Sequence, residues 1–168
     1  MLWYCEKRVG CAAMGTDDLI EAVQSLRADD AFKARLSLPQ WRNFATYLTP
    51  YQLRAGDLLI KQGECDRAAY FVGQGSLQVY VSGAAPGTFR VALMRPGALV
   101  GETGLFSDQP HSANVEAMVP TIVWALHLPR FEELNARAPG VANEVMRAAG
   151  AVMVARLRAN LQMRVAMA

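Results

Sequence analysis

The sequence predicts a mainly β fold with flanking helices: an antiparallel β jelly-roll barrel of about eight strands, N-terminal helices before it, and a short plus a long C-terminal helix after it. Two observations carry this expectation. From about Tyr51 onward Gly or Pro recurs every several residues, at Gly56, Gly63, Gly73, Gly75, Gly83, Pro86-Gly87, Pro96-Gly97 and Gly101, with short apolar runs such as DLLIKQ, AAYFVG, SLQVYV and FRVALM between. After the run TIVWALHL the apolar period changes from that of a strand to that of a helix.

The elements follow in order. Residues 1–13, MLWYCEKRVGCAA, have no periodicity and are expected to be a disordered extension. Residues 14–50 form an N-terminal helical segment. In GTDDLIEAVQSL, Thr16 or Asp17 suits a helix cap, Asp17 and Asp18 complement the positive end of the helix dipole, and Leu19, Ile20, Val23 and Leu26 recur at helical spacing. In LPQWRNFATYL, Pro39 sits in a tolerated first turn, with Trp41, Phe44 and Leu48 on one side. Residues 51–129 are the barrel. SLQVYV directs Leu77, Val79 and Val81 inward and Gln78 and Tyr80 outward, and VSGAAPGT reads as a hairpin loop without chemical groups. Residues 130–168 are the C-terminal helices, RFEELNAR and then a long one. The long helix carries a stripe of Met146, Gly150, Met153, Val154, Leu157, Leu161 and Val165, longer than one barrel side covers, so part of it is expected to meet another chain.

Composition excludes several classes. At 168 residues, 52% of them hydrophobic, the chain has room for one core. A net charge of +2 gives no general attraction to nucleic acid or membrane. The longest apolar run, MVPTIVWALHLP, is broken by Pro120 and His127, so no membrane span is expected; Glu6, Lys7 and Arg8 argue against a signal peptide. A cytoplasmic location follows as the default. Cys5, Cys11 and Cys65 show no C-x-x-C spacing and read as free thiols. His111 and His127 are too few for a metal enzyme, and His127 reads as a structural histidine, so neither an enzyme, a metal nor a cofactor is expected.

The segment GETGLFSDQPHSANVEA, Gly101 to Ala117, concentrates the polar chemistry. Together with AGD at Ala55 to Asp57, IKQGECDRAAYFVGQGSLQVYV and PGALVGETGLF, it resembles the cyclic-nucleotide-binding domain family of the catabolite activator protein, the regulatory subunit of protein kinase A and cyclic-nucleotide-gated channels. The resemblance spans roughly Leu36 to Arg164. It implies a non-enzymatic regulatory or sensor domain whose ligand is cyclic AMP, cyclic GMP or a related nucleotide, held in a phosphate-binding cassette. Gly101, Glu102, Thr103 and Gly104 match the cassette turn, with Glu102 accepting from the ribose 2′-hydroxyl and backbone amides meeting the phosphate; Leu105 and Phe106 match the apolar residues that pin it. His111, with Ser112 and Ala113, stands where the family has a phosphate-binding Arg. An imidazole gives one directed donor and is mostly neutral at pH 7, in place of a permanent planar fork. The substitution costs on the order of 2 kcal/mol, and binding is expected to strengthen as pH falls toward about 6.

Counting from His111 brings Arg156 near the purine, where it either stacks on the base or faces solvent. The resemblance also implies a homodimer through the C-terminal helix, with Met146, Met153 and Leu157 at its seam, and an unidentified protein partner. Catabolite-activator-like proteins carry a helix-turn-helix after this helix; here the helix runs to Ala168, so no DNA-binding domain is expected. The alternative function is a degenerate domain, without nucleotide binding, that acts as a dimerisation or interaction module.

Overall fold

A computed structural model describes residues 14–83 and 90–166. The expectations for residues 1–13, with Cys5 and Cys11, and for the loop tip at 84–89 lie outside these. Helix α1 spans Thr16–Ser25 and α2 Leu38–Ala45. The cap of α1 is Gly15 rather than Thr16 or Asp17: the Gly15 N–H donates to Asp18 Oδ2 at 2.9 Å, so the acidic residue in the first turn reaches back. Ser37 caps α2 reciprocally with Gln40, whose Oε1 accepts from the Ser37 N–H at 2.8 Å.

Eight strands follow: β1 Thr49–Leu53, β2 Leu58–Ile60, β3 Ala68–Gln74, β4 Leu77–Tyr80, β5 Arg90–Met94, β6 Leu99–Val100, β7 Asn114–Ala117 and β8 Thr121–His127. A single turn, α3 Thr103–Phe106, separates β6 from β7, and α4 Leu128–Arg137 and α5 Pro139–Ala166 complete the fold. All pairings are antiparallel, and among the described residues they make two four-stranded sheets, β1-β8-β3-β6 and β2-β7-β4-β5, rather than one closed barrel. β6 pairs only two residues with β3, Val100 to Tyr70 and Leu99 to Phe71, which leaves little edge to carry a ladder into the second sheet.

Two cores share the first sheet. Tyr70, Val72, Val123 and Ala125 point between the sheets toward Leu59, Leu77 and Val115. Their neighbours Ala69, Phe71, Trp124 and Leu126 point the other way, under the helices. Alternate residues of β3 and β8 are thus buried on opposite faces, which is why AAYFV reads as a continuous apolar run. Phe71 meets Phe32 and Phe44 edge-on, with ring centroids 5.0 and 5.9 Å apart. Gly97 has φ +88°, and a β-carbon there would stand 2.2 Å from the Ala22 carbonyl oxygen, so only glycine lets this turn pass under α1. On β8, His127 is a paired residue, its Nε2 3.0 Å from the Tyr51 hydroxyl.

Helix α5 buries Val141, Ala142, Val145, Ala148, Ala149 and Val152. The stripe expected from the sequence is not this packing face: Met146, Gly150 and Met153 are half-buried, while Val154, Leu157 and Leu161 are exposed. Small alanines let the helix lie close, whereas the larger residues face away. From Met153 onward no described residue is buried, so the distal half of α5 leaves the core. The proximal half is tied to the loop before α2. Glu144 Oε1 accepts from the Arg35 N–H at 2.5 Å, and Arg147 donates to both Glu144 oxygens and to the Lys33 carbonyl at 2.8 Å.

The Arg147 hydrogen bonds, with the Arg35 amide, lower the Glu144 carboxyl from its usual 4.5 to about 2, against the opposing effect of burial. A carboxyl whose folded-state value is depressed contributes stability above its ordinary value and loses it as pH falls through the folded one. Glu144→Gln is therefore expected to be less stable than the parent by about 1 kcal/mol at neutral pH. In urea denaturation followed by circular dichroism across pH, that gap should close between pH 4.5 and about 2.

Candidate functional site

Where the distal half of α5 crosses the second sheet, it roofs a cleft of about 780 Å³. Val79, Val81, Ala92 and Met94 give the cleft an apolar wall on the β4–β5 side. Gly101, Glu102 and Thr103 approach from the turn after β6, His111, Ser112 and Ala113 from the segment before β7, and Ala155, Arg156 and Asn160 from α5. Seven of the eight residues expected at a ligand site thus line one cleft.

The eighth, Gly104, lies behind it. A β-carbon on Gly104 would stand 2.3 Å from the Asp66 carbonyl oxygen and 2.9 Å from that of Ala68, so its role is close packing of α3 on β3. The Gly104 carbonyl accepts from Arg67 Nε at 2.8 Å, and Arg67 also pairs with Asp108. This cation holds the turn from outside and does not line the cleft. The Gly104 and Leu105 amides already donate to the Gly101 and Glu102 carbonyls, at 2.9 and 3.0 Å, so they hold the turn's own shape. Gly101 has φ +73°, the left-handed region a tight turn out of β6 requires.

His111 is only 7% exposed. Its backbone is pinned to the turn after β2, with the Gly63 N–H donating to the His111 carbonyl at 2.8 Å and the His111 N–H to the Glu64 carbonyl at 2.9 Å. Its Nε2 is buried and has no hydrogen-bond partner among the described residues. Such an atom is costly unless something supplies a partner. Ser112, the next residue, is exposed, so the two side chains diverge as neighbours on an extended segment do and make no nucleophile and base pair.

Arg156 neither stacks nor faces solvent in this structure. Its Nη1 donates to both Glu102 oxygens at 2.8 and 2.9 Å, its Nε to Asp30 Oδ2 at 2.8 Å, and its Nη2 to the Leu99 carbonyl at 2.7 Å, with Met94 Sδ at 3.7 Å. The Glu102 side chain is 8% exposed and that of Arg156 22%. Sequence reasoning missed Asp29 and Asp30, which line the cleft from the loop after α1; nothing local marks a partner 126 residues from Arg156. The cleft's fixed charges are three carboxylates, Asp29, Asp30 and Glu102, against one guanidinium. Among the described residues no cluster of three or more metal-ligating side chains occurs, and no helix is long and apolar enough to cross a membrane.

Comparison with known proteins fits this geometry. The chain is 31% identical over 105 residues to the acetyltransferase Pat of Mycolicibacterium smegmatis, covering 62% of this chain and 31% of that protein. It is 24% identical over 119 residues to the cAMP-dependent protein kinase regulatory subunit of Blastocladiella emersonii, covering 71% and 30%. The matched region is therefore less than a third of either relative. Its fold is shared with a cyclic nucleotide-binding domain from Methylobacillus flagellatus, with a TM-score of 0.76 at 20% identity over 91% of this chain and 84% of that one. The catabolite activator protein of Thermus thermophilus gives 0.68 at 25% identity over 79% and 61%. The family model described as cyclic nucleotide-binding domain matches residues 50–138, more than half of the chain, and the chain belongs to that family.

Proposed function

We propose that this chain is a non-enzymatic regulatory domain that takes a cyclic nucleotide, cyclic AMP or cyclic GMP, in the cleft beneath α5. The observation that carries the reading is the pairing, in one cleft, of a buried carboxylate, Glu102, with a buried imidazole, His111, whose Nε2 has no partner among the described residues. A ribose 2′-hydroxyl is a natural donor to the first, and a cyclic phosphate oxygen accepts from an N–H of the second. Ser112 and Ala113 flank the phosphate, and the wall of Val79, Val81 and Met94 suits the face of a purine. Occupancy then biases α4 and α5, and through them a protein partner, in a cytoplasmic setting.

A second reading is a degenerate domain that serves as a dimerisation or interaction module. The charge of the cleft favours it, because three carboxylates against one guanidinium give an anion little fixed attraction. The two readings separate by calorimetry with cyclic AMP and cyclic GMP at about pH 6 and about pH 8. A working site binds one of the nucleotides measurably in the parent, with an imidazole N–H donating to the phosphate. His111→Arg is expected to tighten binding about thirtyfold, by restoring roughly 2 kcal/mol of charge-assisted pairing. Undetectable binding by the parent at both pH values, with binding in His111→Arg, identifies the degenerate reading.

We further propose a homodimer through α5. Val154, Leu157 and Leu161 are 50%, 59% and 52% exposed and lie on one side of the helix, away from its buried face. Light scattering is expected to find a dimer that Leu157→Asp converts to monomer; a dimer indifferent to that charge overturns the seam.

A further inference from the structure

Asp30 enters the cleft from the loop after α1, and its Oδ2 accepts from Arg156 Nε at 2.8 Å. Among the described residues this is the one side-chain bond that Asp30 makes, so Oδ1 keeps its lone pairs, and the side chain is 34% exposed. The loop that carries it is fixed from beneath: Phe32, two residues on, is buried and packed edge-on against Trp41 and Phe71. A carboxylate on a rim is not by itself a binding site. The same cleft, however, holds the His111 Nε2, buried and without a partner among the described residues, which independently calls for a ligand.

The neighbours of Asp30 put it at the base end of that ligand. The guanidinium that fixes Asp30 also lies 3.7 Å from Met94 Sδ, in the apolar wall that suits a purine face. All three nitrogens of Arg156 are engaged: Nε by Asp30, Nη1 by Glu102, and Nη2 by the Leu99 carbonyl with Met94. A purine edge on this side therefore meets a carboxylate oxygen rather than a guanidinium donor. An ionised carboxylate only accepts. Guanine presents two donors side by side, N1–H and N2–H, whereas adenine presents N6–H beside the N1 lone pair, which a carboxylate oxygen repels.

We propose that Asp30 reads the purine edge and makes the cleft selective for guanine, so that its ligand is cyclic GMP rather than cyclic AMP. This deepens the cyclic-nucleotide reading and rests on it for a purine in the cleft; it does not depend on how the phosphate is held.

Calorimetry with cyclic GMP, cyclic IMP and cyclic AMP tests it, on the parent and on Asp30→Asn, each also in a His111→Arg background. Cyclic GMP is expected to bind at least about tenfold more tightly than cyclic AMP. Cyclic IMP, which keeps N1–H and lacks the 2-amino group, is expected to fall between. Asp30→Asn preserves shape and inverts the chemistry. Its amide oxygen stays with the Arg156 Nε donor, so the amide N–H2 takes the place of Oδ1, and the preference is expected to reverse toward adenine, whose N1 accepts. Equal affinities in the parent overturn the proposal. So does a variant that shifts all three ligands by the same factor, which is what a merely structural Asp30 would do.

Guanosine and adenosine, followed by ligand-observed NMR on the parent, separate the proposal from the reading beneath it. If no protein in the set binds a cyclic nucleotide while guanosine binds and adenosine does not, the cyclic phosphate falls and the guanine preference holds. If guanosine also fails to bind, both fall.

Discussion

A carboxylate buried beside a strand end needs a cation, and most of this molecule's distinctive geometry follows from how Glu102 obtains one. Taking an ionised carboxyl out of water costs several kcal/mol even after relaxation, and removing its partner leaves that cost uncompensated. The partner comes from 54 residues further along the chain, on a helix that has already left the hydrophobic core. Arg156 can reach Glu102 only if α5 keeps its direction past Val152 and lies over the open side of the second sheet. Asp30 and the Leu99 carbonyl then complete the guanidinium's contacts and bring the loop after α1 to the same place. Roof, rim and floor of the cleft are thus set by one ion cluster, where a purely apolar helix face would have sealed the space.

The turn that bears Glu102 is built to hold its shape independently of that cluster. Gly101 supplies the left-handed residue out of β6, Gly104 lies against the Asp66 and Ala68 carbonyls, and Arg67 grips the turn from behind while pairing with Asp108. Arg67 is thus turned outward, while Arg156 inside the cleft is engaged by Glu102 and Asp30, and His111 lines the cleft beside them. The His111 Nε2, buried and without a partner among the described residues, is the kind of group that native interiors seldom tolerate without a reason.

The strands were legible because local rules govern them. Glycines at turns and an apolar period of two are properties of short windows, and the DLLIKQ, SLQVYV and TIVWALHL runs carry them undisturbed. AAYFV also reads correctly as a strand, although the sequence alone does not say that Tyr70 and Phe71 serve two different cores; that depends on helices covering the outer face of the first sheet. The packing face of α5 was less legible for a physical reason. The large residues Met146, Leu157 and Leu161 mark the stripe of which part was expected to meet another chain, whereas the helix packs on the core through Ala142, Ala148 and Ala149, whose small side chains permit closeness that larger ones forbid. Asp30 carried no signal at all, since its role exists only once segments 126 residues apart have met.

Two polar attachments on α5 invite comparison, since both join the helix to the segment between α1 and α2. The proximal one, Glu144 with Arg147, Arg35 and Lys33, sits beside Val141, Val145 and Ala148, and loosening it leaves a hydrophobic face still in place. The distal one, Arg156 with Glu102 and Asp30, has no such support. The border between the two regimes falls near Gly150, where a β-carbon would meet no atom within 4 Å, so packing does not require glycine there. A glycine inside a helix costs about 1 kcal/mol relative to alanine. Its placement six residues before Arg156 weakens the helix near the point where burial ends and the ion cluster begins. Meanwhile Phe32, packed among Trp41 and Phe71, fixes the segment that carries Asp30. The rim holding Asp30 is thus anchored in the core by apolar packing, whereas the distal half of α5 is joined to that rim and to the turn after β6 through the hydrogen bonds of Arg156.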